Sequence, residues 1–158
     1  MKRHNNGFTL IEIMIVIIML AILAAMILPR MVGAQDDARE SAIETDIQMV
    51  RRQILVYRAQ HVGKGPHLDA SGNFDHNNLP ARLTGKTDTD GTFNASGVCG
   101  PYMQEWPTNP YSSSAVAGKL FFGTDAAPPR NGTAGWYYNT NTCEISANSA
   151  KGGEELDP

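Results

Sequence analysis

Gly7-Phe8-Thr9-Leu10-Ile11-Glu12, followed by the apolar run over residues 13–28, decides how the rest of this 158-residue chain is read. Lys2 and Arg3 precede it and Pro29 closes it. Within residues 8–28 only Thr9 and Glu12 are polar, and at about 1.5 Å per residue the stretch suffices for one bilayer-spanning helix. Glu12 is the odd residue. An ionisable side chain inside hydrocarbon is costly and marks a functional site, whose natural partner is a positive charge at the same depth. If the chain were cut between Gly7 and Phe8, the new ammonium of Phe8 would lie about one helical turn from Glu12. A neighbouring copy could then offer its amine to this Glu12. Such a head-to-tail contact builds an open helical filament when it does not close into a ring.

These residues resemble the class III signal of type IV pilins and type II secretion pseudopilins. The resemblance implies cleavage after Gly7 by a prepilin peptidase, N-methylation of Phe8, and a role for Glu12 in registering subunits within a filament core. Two other readings fit the same stretch. Lys2-Arg3, the apolar region and Val32-Gly33-Ala34 could form an ordinary secretory signal cut after Ala34, releasing a soluble binding domain. The apolar region would then exceed the usual 7–15 residues, and Glu12 would have no role. A plain membrane anchor with an incidental glutamate is the other.

The remaining length allows one modest soluble domain. The net charge is −3 and no basic stripe runs along the soluble part, which argues against nucleic acid as a main partner. Positive charge ahead of the first helix places the N-terminus in the cytoplasm and the C-terminal part on the oxidising side. A Cys99–Cys143 disulfide is expected there, closing a loop of about 45 residues; the alternative is two buried free thiols.

Past Pro29 the pattern stays helical but turns amphipathic. Ile43, Ile47, Val50, Ile54, Tyr57 and His61 are spaced by fours and threes, with Glu40, Glu44, Asp46, Arg51, Arg52 and Arg58 opposite. Residues 35–62 therefore read as a helix packed on a small domain, continuous with the apolar half and bent or locally opened at Pro29. Gly63-Lys64-Gly65-Pro66 ends it. Residues 63–98 read as a long irregular connection with a short helical turn around Asn78 to Leu83. Beyond it, Lys119-Leu120-Phe121-Phe122 and Gly135-Trp136-Tyr137-Tyr138 read as strands, the second forming a hairpin with Cys143-Glu144-Ile145-Ser146. The aromatic side chains of Trp106, Tyr111, Trp136, Tyr137 and Tyr138 are expected in the domain core.

The expectation is thus an α+β, type IV pilin-like fold. It has a leader over 1–7, an apolar half-helix over 8–28, an amphipathic half-helix over 29–62 and a small antiparallel sheet domain over 63–158. Trp106-Pro107-Thr108-Asn109-Pro110-Tyr111, Gly135-Trp136-Tyr137-Tyr138 and Glu144-Ile145-Ser146-Ala147-Asn148 resemble the C-terminal part of G-type major pseudopilins. That resemblance implies a pseudopilus subunit whose partners are identical subunits, minor pseudopilins, the prepilin peptidase and an inner-membrane assembly platform. A surface pilus for adhesion, motility or DNA uptake is the second choice.

No metal or other cofactor is assigned. G-type pseudopilins hold calcium in their C-terminal loops, but the corresponding region here, residues 123–132, offers one acid, Asp125. Asp88-Thr89-Asp90-Gly91 lacks the further acids of a calcium loop and reads as a polar turn. His61, His67 and His76 lack the close paired spacing of zinc ligands and read as solvated loop residues, with His4 in the leader. No G-x-S-x-G, H-E-x-x-H or phosphate-binding loop is present, so an enzyme is not expected.

Overall fold

The computed structural model describes residues 8–149, with side chains at 27–33 outside the described set. Gly7, His4 and the other leader residues, and the tail from residue 150, also lie outside the described residues. The elements in order are α1 (Leu10–Gln60), α2 (Leu79–Thr84), β1 (Leu120–Gly123), β2 (Trp136–Asn139) and β3 (Glu144–Ala147). The chain divides into two compact units, Met1–Ala38 and Arg39–Pro158, so the boundary falls inside α1.

The first unit is helix from Leu10 onward. Its large apolar side chains from Leu10 to Met26 are all solvent-exposed, because no described residue of the unit folds back on them. Among the described residues no helix is long and apolar enough to cross a membrane. The span expected over 8–28 runs into the stretch 27–33, where the side chains, Pro29 among them, lie outside the described ones. The backbone is helical through position 34, where a signal-peptidase cut after Ala34 would have to fall.

In the second unit the seam read from the sequence faces the core. Ile43, Val50, Ile54, Tyr57 and His61 are buried and Ile47 packs partly against them. The other side of that core is Leu79 and Leu83 of α2, Met103, Trp136 and Tyr138 of β2 and Ile145 of β3. The helix ends in a left-handed turn: Val62 has φ +56° and Gly63 φ +81°. Gly63 N–H closes it on Arg58 O at 2.8 Å, the longer hydrogen bond of a Schellman cap.

Sheet order is β1-β2-β3. β2 and β3 form the expected antiparallel hairpin, Trp136 opposite Ala147 and Asn139 opposite Glu144. β1 departs from the antiparallel expectation and pairs with β2 in parallel, Leu120 beside Trp136. The reason is the connection: residues 124–135 supply the dozen or so residues a parallel crossover needs, whereas a hairpin would need only a few.

Residues 63–98, expected to be irregular, are ordered by a repeated turn. Leu68-Asp69-Ala70-Ser71-Gly72-Asn73-Phe74-Asp75 and Thr87-Asp88-Thr89-Asp90-Gly91-Thr92-Phe93-Asn94 adopt the same arch, one on each side of α2. Leu68 bridges Phe74 and Thr87 bridges Phe93. In both, the Asp N–H bonds across the arch (Asp69 to Asn73 O at 2.8 Å, Asp88 to Thr92 O at 2.9 Å). In both, the Gly N–H bonds back to the Asp carbonyl (3.0 and 2.9 Å), and the glycine sits at positive φ, +85° and +94°. This is a type I turn closed by a left-handed glycine.

Candidate functional site

The residue types that single out the N-terminus meet there in one hydrogen-bonded unit. Thr9 is the last non-helical residue before α1, and Glu12 is the third residue of the helix. Glu12 Oε2 accepts from Thr9 N–H at 2.8 Å and from Thr9 Oγ1 at 2.8 Å, while Glu12 N–H donates to Thr9 Oγ1 at 3.3 Å. Thr-x-x-Glu closed reciprocally in this way is a capping box, and it satisfies amide donors that a helix start leaves open. The box is legible in Thr9-Leu10-Ile11-Glu12 itself, a threonine followed three residues later by a glutamate at the head of an apolar run. Both cap bonds use Oε2. Oε1 has no hydrogen bond among the described residues, so the carboxylate can hold its own helix start and still meet an incoming cation. Phe8, beside it, is 85% exposed. The cut after Gly7 falls at the edge of the described residues.

The rest of the candidate list resolves as structure. His61 and His67, expected to be solvated, are buried; His76 is exposed. His61 Nδ1 donates to Tyr57 O (2.8 Å) and its Nε2 meets Thr87 Oγ1 (3.0 Å), with the ring stacked on Tyr57 at 3.8 Å. His67 Nδ1 lies 2.9 Å from Tyr138 Oη. Burial, with the Arg58 and Arg82 charges behind it, lowers the His67 pKa, and burial raises that of the Tyr138 phenol. The burial of His67 was not legible, because its partner Tyr138 is 71 positions away, whereas that of His61 follows from its place on the helix seam.

The Cys99–Cys143 bond is not formed in this structure. Cys99 is a buried free thiol on a strand-like bridge to Thr87, and Cys143 a half-buried one in the β2–β3 turn at φ +61°. Each occupies a backbone position fixed by its own local hydrogen bonds: Cys99 N–H to Thr87 O at 3.0 Å, and Cys143 N–H to Asn139 O at 2.8 Å.

Among the described residues no group of three or more His, Cys, Asp or Glu converges on a point. Asp88 accepts from Asn94 Nδ2 and Asp90 from Thr92 N–H, which leaves both as turn acids. Asp125 enters the hydrogen-bonding scheme through its main-chain carbonyl, which takes the Tyr137 hydroxyl at 2.8 Å and Asn139 Nδ2 at 2.9 Å. Tyr137 is buried by this contact, on the sheet face away from the core that takes Trp136 and Tyr138.

The Trp106–Tyr111 segment earns its place through Asn109. Its amide donates to Gly135 O (2.7 Å) and Ser149 Oγ (2.8 Å), and its oxygen accepts from Tyr111 N–H (2.9 Å). Arg82 is a second buried hub that sequence reasoning missed. Its guanidinium bonds Asp75 Oδ2 at 2.7 Å and Pro66 O at 3.1 Å, and lies 5.4 Å from the Phe93 ring centre. Asn78 and Arg82 hold the Asp75 carboxyl below the usual carboxylate range.

The family model described as "Prokaryotic N-terminal methylation motif" matches residues 2–28. The chain is 37% identical over 57 residues to the type II secretion system core protein G of Pseudomonas aeruginosa, covering 36% of this chain and 40% of that protein. It is 36% identical over 58 residues to the protein of the same name from Dickeya chrysanthemi, covering 37% and 38%. Against the competence protein ComGC of Halalkalibacterium halodurans it is 31% identical over 81 residues, covering 49% of this chain and 79% of that protein. The chain thus spans about 40% of the length of the core protein G relatives. No solved structure matches.

Proposed function

The chain belongs to the family that unites type IV pilins with type II secretion pseudopilins, and from that premise we propose that it is the major structural subunit of a helical pseudopilus that drives protein export. The observation that carries this reading is the N-terminal motif itself: an apolar helix with no partner among the described residues of its own unit, begun by a capping glutamate whose second oxygen makes no hydrogen bond among them. A prepilin peptidase removes residues 1–7 and Phe8 is N-methylated. The subunit then waits in the inner membrane, N-terminus in the cytoplasm and C-terminal domain in the periplasm. An assembly platform extracts it into a filament with identical copies and minor pseudopilins. Exchanging lipid for apolar side chains gives little net drive, so register comes from the pair between the Phe8 amine of one copy and Glu12 of the next. The role is structural rather than enzymatic.

The test is the N-terminal mass of the mature protein taken from membranes of its own host. An N-methylated Phe8 start is expected. A start at Gln35 would replace this reading with a released soluble domain. The match to most of ComGC favours a second reading, the subunit of a type IV pilus. Deletion separates the two: loss of secreted enzymes marks the pseudopilus, and loss of visible surface appendages marks the pilus.

A further inference from the structure

The sheet treats its two edges differently. Trp136 N–H donates to Lys119 O at 3.0 Å and Thr140 N–H to Gly123 O at 2.9 Å. In a parallel ladder both backbone groups of a residue face the same neighbour, so residues 119, 121 and 123 face β2. The backbone groups of Leu120 and Phe122 point out of the sheet and make no hydrogen bond among the described residues. At the β3 edge the outward Ile145 O is met by α1, through Arg51 Nε at 3.1 Å. The β1 edge has no such donor. Beside it lies a groove of ≈ 480 Å³, with Phe121 on its wall and Phe74, His76 and Phe122 at one corner. The corner rings stand nearly perpendicular: Phe74 and His76 at 75° with centres 4.2 Å apart, Phe74 and Phe122 at 89° and 5.3 Å, His76 and Phe122 at 87° and 5.9 Å. Neither Lys nor Arg is among the described residues that line the groove. Outward carbonyls and ring faces both attract a cationic donor.

A second surface without a partner lies on α1. At about 100° per residue, Arg52, Leu55, Val56 and Ala59 fall on the side opposite Val50, Ile54 and Tyr57, so they point away from their own domain. The outer side of a surface helix is ordinarily polar, yet Leu55 is 63% exposed and Val56 40%. Arg52 is exposed too and makes no hydrogen bond or ion pair among the described residues. We propose that the Arg52 face of one copy docks in the β1 groove of the next. The Arg52 guanidinium donates to the outward carbonyls of Leu120 and Phe122 and lies over the aromatic corner. Leu55 and Val56 cover Phe74 and Phe121, the exposed apolar side chains of the groove. The chain already makes both kinds of contact internally, with Arg51 on Ile145 O and Arg82 5.4 Å from the Phe93 ring centre. The two patches share no residue, so the contact is head-to-tail and repeats from copy to copy. It rests on the filament reading and names a surface through which neighbouring domains meet.

Photo-crosslinking of the full chain in its own host tests the contact. With p-benzoylphenylalanine in place of Leu55, irradiation should give a covalent dimer in which tryptic peptide 53–58 is joined to peptide 120–130. With the same probe in place of Asn77, at the groove, peptide 65–82 should be joined to residues 52–59 of the second copy. Arg52→Ala should cut the dimer yield about tenfold. Arg52→Lys should restore part of it, since an ammonium keeps the charge but not the planar fork. A dimer joined instead through residues 10–26, a yield indifferent to Arg52→Ala, or no dimer overturns the proposal. The N-terminal mass of the same preparation scores the filament reading separately. N-methylated Phe8 without this dimer strikes the contact alone, and a start at Gln35 with the dimer present strikes the filament alone.

Discussion

Thr9 and Glu12 perform two jobs that substitution can separate. Thr9→Ala removes the cap from the first turn, at about 1 kcal/mol of helix stability, but leaves the carboxylate available to a neighbour. Glu12→Ala removes both. Filament yield in the native host should therefore fall modestly for Thr9→Ala and collapse for Glu12→Ala, while membrane insertion of the latter is intact or improved. Equal, near-normal yields would refute a pairing role for Glu12. At the other end of α1, Val62 holds a left-handed conformation that suits glycine or asparagine, yet it is a β-branched residue, 89% exposed. Nothing is buried in exchange for that strain. Val62→Asn should raise stability by about 1 kcal/mol, read as a higher midpoint in denaturant unfolding. The sequence pointed to Gly63 as the terminator; that the turn begins one residue earlier depends on the Gly63–Arg58 closure, which composition does not reveal.

Among the elements, α1 was legible because its signal is local. Apolar residues every three or four positions mark a buried face whatever they pack against, and the seam from Ile43 to His61 is where the pattern put it. The parallel pairing of β1 was not legible, since strand residues look alike in either direction and only the crossover decides. The twin arches were missed for a different reason: their signal is a recurring Asp, Gly and Phe frame rather than hydrophobic periodicity. Arg82 of α2 joins the two arches, reaching Asp75 of the first and the Phe93 ring of the second. Because it is buried, its loss takes the donor from Pro66 O and leaves Asp75 with the Asn78 amide but no charge partner. Arg82→Ala should cost about 3 kcal/mol, while Phe93→Leu, which keeps the hydrogen bonds, should cost under about 1 kcal/mol. Comparable losses in thermal unfolding would show that the arches do not depend on Arg82.

For the molecule as a whole, buried polar groups bring in a dependence on acidity. His67 is held neutral in the folded protein, its pKa lowered below 6.5 by burial and by Arg58 and Arg82. A group whose folded pKa is depressed below its unfolded value binds protons more readily when unfolded. Its contribution is complete above about pH 6.5 and declines as the pH drops through that value towards the folded pKa. The unfolding midpoint should therefore fall between pH 7.5 and pH 5, and His67→Gln should flatten that fall without restoring the lost stability. A slope unchanged by His67→Gln would assign the effect to other groups.

The hydrogen bond from Arg51 to Ile145 joins residues 94 positions apart, and the core that buries Val50 and Ile54 is completed by Trp136, Tyr138 and Ile145. In the order in which a ribosome makes the chain, α1 emerges with its apolar face finished and waits for nearly all the remaining sequence before that face has a cover. A nascent subunit is therefore sticky for most of its synthesis. Its domain can close only once the last strand has arrived, which makes folding a late, single event rather than a gradual one.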